Sequence, residues 1–137
     1  MIEKKDTYTF SDFKEIVKEL RGEHGCPWDK KQTHKSLKSC LTNECQEVIE
    51  AIDNYEQTGA YENLCEELGD VLLQIVLHSQ IAEESGHFTV EDVITGISKK
   101  MIRRHPHVFH ELSPAYRNGK SLSWAEIKRL EKEGVLD

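Results

Sequence analysis

Breakers of regular structure are scarce in this chain. Three prolines and eight glycines among 137 residues leave long uninterrupted stretches, which favours helices. No run of alternating apolar and polar residues supports a strand. The four cysteines, Cys26, Cys40, Cys45 and Cys65, include no CxxC pair, which argues for buried reduced thiols over disulfide or zinc roles. No hydrophobic run is long enough to cross a bilayer. The most apolar stretch, Val71 to Leu77, is far too short and contains Gln74. The opening segment MIEKKDTYTF has no apolar core of a signal peptide, so a cytoplasmic protein without membrane contact is expected. Positive charge is also in deficit. The formal net charge of −7 argues against a general nucleic-acid binder. It also means that an anionic substrate would need cations gathered locally.

What is present fits one folded domain over residues 1–137, at 37% hydrophobic and 31% charged residues, with no long repeat and no linker. Ser11 to Leu20 carries Phe13, Ile16, Val17 and Leu20 at a helical period. Gly25 to Asp29 reads as a turn or loop. A long helix is expected from about Thr33 to Tyr55, with an apolar stripe of Leu37, Leu41, Val48, Ala51 or Ile52, and Tyr55, broken at Gly59. A second is expected from about Tyr61 to Ser85, with Leu64, Leu68, Val71, Leu72, Ile75, Val76 and Ala82 on its stripe and Gly86 as its stop. Thr89 with Asp92 resembles a capping box opening a helix through Val93, Ile94, Ile97 and Met101, ended by Pro106. Ser113 to Lys120 reads as a loop. Ser123 with Glu126 is a second capping-box match before a short terminal helix. The fold class is therefore all-α: a bundle of about four main helices plus a short C-terminal helix.

Two acidic pairs stand out against that frame. Glu44 and Glu47 are three apart on one long helix, and Glu67 and Asp70 repeat the spacing on the next. Residues three apart share a helix face, roughly 5–6 Å between Cβ atoms. Glu44 interrupts the apolar stripe between Leu41 and Val48, and Glu67 interrupts it between Leu64 and Val71. A carboxylate on an apolar stripe is costly unless it is paired or holds a metal. If the helices pack face to face, four carboxylates meet. At an effective dielectric of about 20, two like charges ~4 Å apart cost about 4 kcal/mol. A hard cation is the natural remedy, and all-oxygen ligation points to Mg²⁺ or Mn²⁺. Di-iron bundles use Glu-x-x-His, and neither pair here ends in His. The competing reading is a solvated acidic face.

Lys99, Lys100, Arg103 and Arg104 form the one dense basic cluster, with Lys100 and Arg104 on a shared helix face. A cluster of cations closing a helix is its plainer reading. Trp28, beside Pro27 and Asp29, can stack on a base or plug a loop. Gln32 and His34 can read base edges. Trp124 can anchor the last helix. His105, His107 and His110 suggest a metal cluster, but Pro106 breaks the helical geometry there and a structural corner is expected. His78 reads as a satisfied core histidine. The apolar arcs of the two long helices are broad, so at least a homodimer is expected.

The segments LRGEHGCPWDKKQTHKSL, LTNECQEVIEAI, EELGDVLLQIVLHSQIAEESGHF and KKMIRRHPHVF, from about Leu20 to Phe109, resemble the MazG-type nucleoside triphosphate pyrophosphohydrolases of the all-α NTP pyrophosphatase group. SWAEIKRLEK is a weaker match near the C-terminus. The family's metal motif is EExxE followed by ExxD. Here it reads Asn43-Glu44-Cys45-Gln46-Glu47 and Glu67-Leu68-Gly69-Asp70, so Asn43 replaces the first glutamate.

The resemblance implies that Glu44, Glu47, Glu67 and Asp70 hold Mg²⁺. It implies that Lys100 and Arg104, with Arg103 a further candidate, contact the triphosphate, and that Trp124 lies near the nucleotide. The implied enzyme cleaves nucleoside triphosphates between the α- and β-phosphates, giving a nucleoside monophosphate and pyrophosphate in nucleotide-pool house-cleaning. Glu44 or Glu47 would take the proton of the attacking water. The amide at Asn43 carries no charge and is a poor base, which motivates an alternative: a non-catalytic nucleotide-binding or regulatory dimer. A purely structural helical module is the third reading.

Overall fold

The computed structural model describes residues 2–109 and 122–134, the side chain of His107 excepted. Among these residues every regular element is a helix. Helix α1 (Phe10–Leu20) opens on a reciprocal cap. The Thr9 hydroxyl accepts from the Asp12 amide at 3.1 Å, and the Thr9 amide donates to the Asp12 carboxylate at 2.9 Å. That backbone hydrogen bond, with help from Lys5, holds the Asp12 carboxyl below its ordinary value.

The chain then turns sharply. The Cys26 amide donates to the Leu20 carbonyl at 2.8 Å. A Cβ on Gly25 would lie 2.2 Å from that same oxygen, so only glycine fits. The segment expected as loop at Gly25 to Asp29 contains a short helix instead, α2 (Pro27–Lys31). Pro27 stands at its first turn, where a missing N–H is harmless and the fixed φ suits a helix.

The first long helix, α3 (Lys38–Thr58), starts later than the expected Thr33. The cause is local. The Thr33 amide donates to the Ser36 hydroxyl at 2.8 Å, and the Ser36 amide donates to the Thr33 hydroxyl at 3.1 Å. These are the reciprocal bonds of a capping box, and the Leu37 amide donates to the Thr33 carbonyl at 3.1 Å, so a separate capped turn stands at Thr33 ahead of the regular helix. Helix α3 stops at Gly59, which adopts φ 76° as a left-handed cap. After a short connection, α4 (Glu62–Glu84) runs back antiparallel against α3, and α1 packs on α4. Val17, Leu37, Val76, Leu77 and Ile81 are buried together, with Phe13, Cys40 and Leu73 packed against them.

Several stripe positions are not covered. Ile52, Tyr55, Leu68, Leu72 and Ile75 were expected inside, yet each is exposed. A hairpin of two helices buries one face of each, and these residues lie on the remainder of a broad apolar arc. The cysteines are free as expected, but Cys45 and Cys65 are exposed rather than buried.

The chain divides into two compact units, residues 1–90 and 91–137. The second contains most of α5 (Val90–Arg104), a short α6 (Pro106–Phe109) and α7 (Trp124–Lys132). Val93, Ile94, Ile97 and Met101 on α5 are exposed. The corner expected around Pro106 is present: Pro106 is buried and begins α6, and the His105 ring bonds the Met101 carbonyl at 2.6 Å. The Ser123 hydroxyl caps α7 by accepting from the Glu126 amide at 3.2 Å. Ile127 is buried with Leu122 and Leu130 against it. The loop expected over 113–120, the side chain of His107 and all of His110 lie outside the described residues.

One side chain in the first unit ties three segments together. Arg21 is nearly buried, with 7% of its side chain exposed. Its Nε and Nη2 each donate to Glu84 at 2.9 Å, and its Nη1 donates to the carbonyls of Asp29 at 2.6 Å and Gln32 at 3.0 Å. The guanidinium holds the Glu84 carboxyl below its ordinary value. Arg21→Met keeps the bulk and removes the clamp. Glu84 remains partly solvated, so the expected loss of unfolding free energy is about 2–3 kcal/mol. Urea denaturation reads it, and amide exchange over residues 27–37 should accelerate. An unchanged midpoint would contradict the clamp's role.

Candidate metal centre

The four acids singled out by spacing converge. One carboxylate oxygen from each of Glu44, Glu47, Glu67 and Asp70 lies within 4.8 Å of the others. The cause is the α3–α4 hairpin: each helix contributes one pair three residues apart, and antiparallel packing sets the pairs opposite one another. Glu44, Glu67 and Asp70 are half-buried, and Glu47 is the exposed member.

The electrostatics carry the mark of crowding. Desolvation raises the Glu44 carboxyl above its ordinary value, and the charges of Glu47 and Asp70 add to the shift. Glu67 is pushed up from 4.5 to about 7, chiefly by hydrogen bonding with Glu47, then by desolvation and by the charges of Glu47 and Asp70. In addition, Glu44 Oε2 and Glu67 Oε2 are buried with no hydrogen-bond partner. Buried acceptors without donors, in a set of four hard oxygens, are what a divalent cation satisfies. The residues therefore fit such an ion.

Other candidates fall elsewhere. Trp28 lies on α2 and is 57% exposed. Gln32 is not free to read a base. Its amide donates to the Trp28 carbonyl at 2.9 Å and accepts from the Ser36 hydroxyl at 2.8 Å, which fixes the loop on either side. In the second unit, Arg103 and Arg104 both bind Glu131, the latter at 2.9 Å. These guanidinium groups, Arg103 foremost, hold the Glu131 carboxyl below its ordinary value. The Arg104 guanidinium also sits 4.5 Å from the Trp124 ring centroid, and Lys128 lies 5.3 Å from it on the same ring. Lys100 is half-buried on α5. No acid lies within the basic cluster in sequence, and Glu131 reaches it only through the fold.

His78 is satisfied on one side only. Its ring lies edge to edge with that of His34, with centroids 5.0 Å apart, planes 2° from parallel and the two Nδ1 atoms 2.7 Å apart, a hydrogen bond in the common ring plane. Desolvation, with His34 nearby, lowers its pKa. Its Nε2, like Gln74 Oε1 one turn earlier, is buried without a partner.

A family model described as the MazG nucleotide pyrophosphohydrolase domain matches residues 32–109. Over 125 residues the chain is 54% identical to an uncharacterized protein, YabN, of Bacillus subtilis, a match covering 91% of this chain and 25% of the relative. It is 51% identical over 123 residues to the nucleoside triphosphate pyrophosphohydrolase/pyrophosphatase MazG of Thermotoga maritima, covering 90% and 45%. It is 39% identical over 118 residues to a nucleoside triphosphate pyrophosphohydrolase of Escherichia coli, covering 85% and 43%. The chain thus spans between a quarter and under half of the length of these relatives. A crystal structure of a MazG-related protein from Thermotoga maritima superposes with a TM-score of 0.60 at 28% identity, covering 88% of this chain and 93% of that one.

A pH-dependent response to metal follows from Glu67. A carboxyl whose pKa is raised on folding binds its proton more tightly in the fold than in the unfolded chain. Its stabilising contribution is full below about pH 4.5 and is lost as the pH rises through about 7. A divalent cation competes with that proton. Mg²⁺ is therefore expected to raise Tm more at pH 8 than at pH 5, with protons released on binding. Equal shifts at the two pH values would contradict this.

Proposed function

This chain belongs to the MazG nucleotide pyrophosphohydrolase family, and from that premise we propose that it hydrolyses nucleoside triphosphates between the α- and β-phosphates, with Mg²⁺ or Mn²⁺ held by Glu44, Glu47, Glu67 and Asp70. The observation that carries this reading is the convergence of four carboxylates with two buried oxygens lacking donors. A polyphosphate cannot approach such a cluster in an acidic protein unless positive charge intervenes. When bound, the ion supplies neutralisation of phosphate charge and a lowered pKa for coordinated water.

The chain's own groups have distinct tasks in this reading. Glu44 or Glu47 accepts the proton of the attacking water. Glu47 is the more accessible of the two, and crowding raises the proton affinity of Glu44. Glu67 and Asp70 fix the opposite side of the centre. Lys100, Arg103 and Arg104 bind phosphate oxygens. Glu131 and Trp124 hold the two guanidinium groups at fixed angles, so less order is lost on binding. The exposed Trp28 ring stacks on the base. Trp124 supports the substrate through Arg104. The exposed apolar residues of α3, α4 and α5 favour assembly into at least a homodimer. A cytoplasmic house-cleaning role on nucleotide pools fits this chemistry.

Asn43 favours a second reading, a non-catalytic nucleotide-binding or regulatory dimer. It stands exposed on α3 beside Glu44, where the family motif has an acid. The two readings separate by experiment. In the first, incubation of nucleoside triphosphates with Mg²⁺ yields pyrophosphate and a nucleoside monophosphate. Asp70→Asn or Glu67→Gln lowers kcat/KM by at least about 100-fold. Release of orthophosphate contradicts the proposed bond. A large gain in turnover in Asn43→Glu, at unchanged nucleotide affinity, favours the second reading for the natural chain.

A further inference from the structure

The polar face of α4 does not stop at the acids. Glu67, Asp70, Gln74 and His78 follow one another at i, i+3, i+7 and i+11, the spacing of a single helix face. Beyond the hairpin that sets the acids of α3 against those of α4, the segment leading into α3 continues along α4, where His34 meets His78. Gln74 lies between these two ends.

Three polar residues of α4 are buried: Gln74, Ser79 and Gln80. Two have evident partners. The Ser79 hydroxyl donates to the Ile75 carbonyl at 2.8 Å, and the Gln80 amide donates to Glu84 at 3.3 Å. Gln74 is only 6% exposed, and its Oε1 has no partner. One turn further, His78 Nε2 is in the same condition. Native interiors seldom leave such groups unmatched, and two in succession on the face that carries Glu67 and Asp70 call for a common cause.

We infer that Gln74 and His78 are specificity-determining residues that read the nucleobase edge of the bound nucleotide. The inference rests on the nucleotide site proposed above. At 1.5 Å rise per residue, Gln74 lies about 6 Å and His78 about 12 Å along the axis from Asp70. That is the scale on which a nucleoside extends from its α-phosphate. An amide offers an acceptor and two donors on one plane and matches a base edge that pairs an N–H with a ring acceptor. Gln74 Oε1 takes the base N–H. His78 Nε2 takes the neighbouring position as donor or acceptor, according to which ring of the His34–His78 pair carries the shared Nδ1 proton. The in-plane hydrogen bond with His34 fixes the imidazole plane, so His34 is a positioning residue.

The test compares the four ribonucleoside triphosphates with wild type, Gln74→Met and His78→Phe. Gln74→Met keeps length without polar atoms, and His78→Phe keeps a flat aromatic ring without nitrogens. Kinetics give kcat/KM for each base. Calorimetry with α,β-methylene analogues and Mg²⁺ gives affinity without turnover. The expected result is a base preference in wild type that narrows by at least about tenfold in Gln74→Met and shifts in His78→Phe. Tm in Gln74→Met should be unchanged or raised, because an unmatched buried acceptor is removed. A wild type indifferent to base overturns the inference, as does an equal fall for all four nucleotides with a lowered Tm, the result of a merely structural Gln74. An ordered water bridging Gln74 and His78 in the nucleotide complex does the same. Failure of wild type to bind any of the four analogues instead removes the nucleotide site itself, so the two readings fail separately.

Discussion

Mutual repulsion among four carboxylates is the constraint around which this molecule is arranged. Bringing Glu44, Glu47, Glu67 and Asp70 within 4.8 Å opposes folding, and the elevated proton affinities of Glu44 and Glu67 are its local symptom. Something must offset it. Protons can do so partially at low pH, and a bound divalent cation would do so more completely near neutrality. The long α3–α4 hairpin holds the acids together through apolar packing on the same faces, with Ala51 and Leu77 buried in it. A carboxylate set so disposed is poorly suited to a solvated surface and well suited to gripping a cation that in turn grips phosphate.

The surrounding structure serves to fix that hairpin and its neighbouring segment. Arg21 reaches from the end of α1 to Glu84 at the far end of α4 and to two carbonyls flanking the end of α2. It thereby sets the position of the segment carrying Trp28 and leading to His34. The reciprocal Thr33–Ser36 turn and the two hydrogen bonds of Gln32 keep that segment short and rigid. Within the second unit, Glu131 gathers Arg103 and Arg104, and Trp124 stacks on Arg104.

Much of this was legible in the residues. Glu44 and Glu67 interrupt apolar stripes at matching places, and only a shared polar purpose explains that on both helices. Gly59 and Gly86 mark the ends of α3 and α4, each with a positive φ. What was not legible came from contacts between distant positions. Glu131 lies 27 residues from Arg104, so no local pattern joins them. The His34–His78 hydrogen bond spans 44 residues. Gln74 was visible as a polar residue inside an apolar run, but its lack of a partner is a property of the fold. The expected start at Thr33 falls on a capped turn in which Thr33 and Ser36 satisfy each other's amides, and helical periodicity does not separate that turn from the helix that begins at Lys38. The stripe residues Ile52, Leu68 and Ile75 were expected inside because periodicity reports an apolar arc without saying how many partners cover it.

The central claim is that the acids of α3 and α4 form one cation site. Its most direct test is an anomalous difference map from crystals grown with Mn²⁺. The account predicts density between the two helices, within about 2.2 Å of oxygens from Glu44, Glu47, Glu67 and Asp70. At saturating Mn²⁺, side chains turned into solvent with no density among them would contradict it.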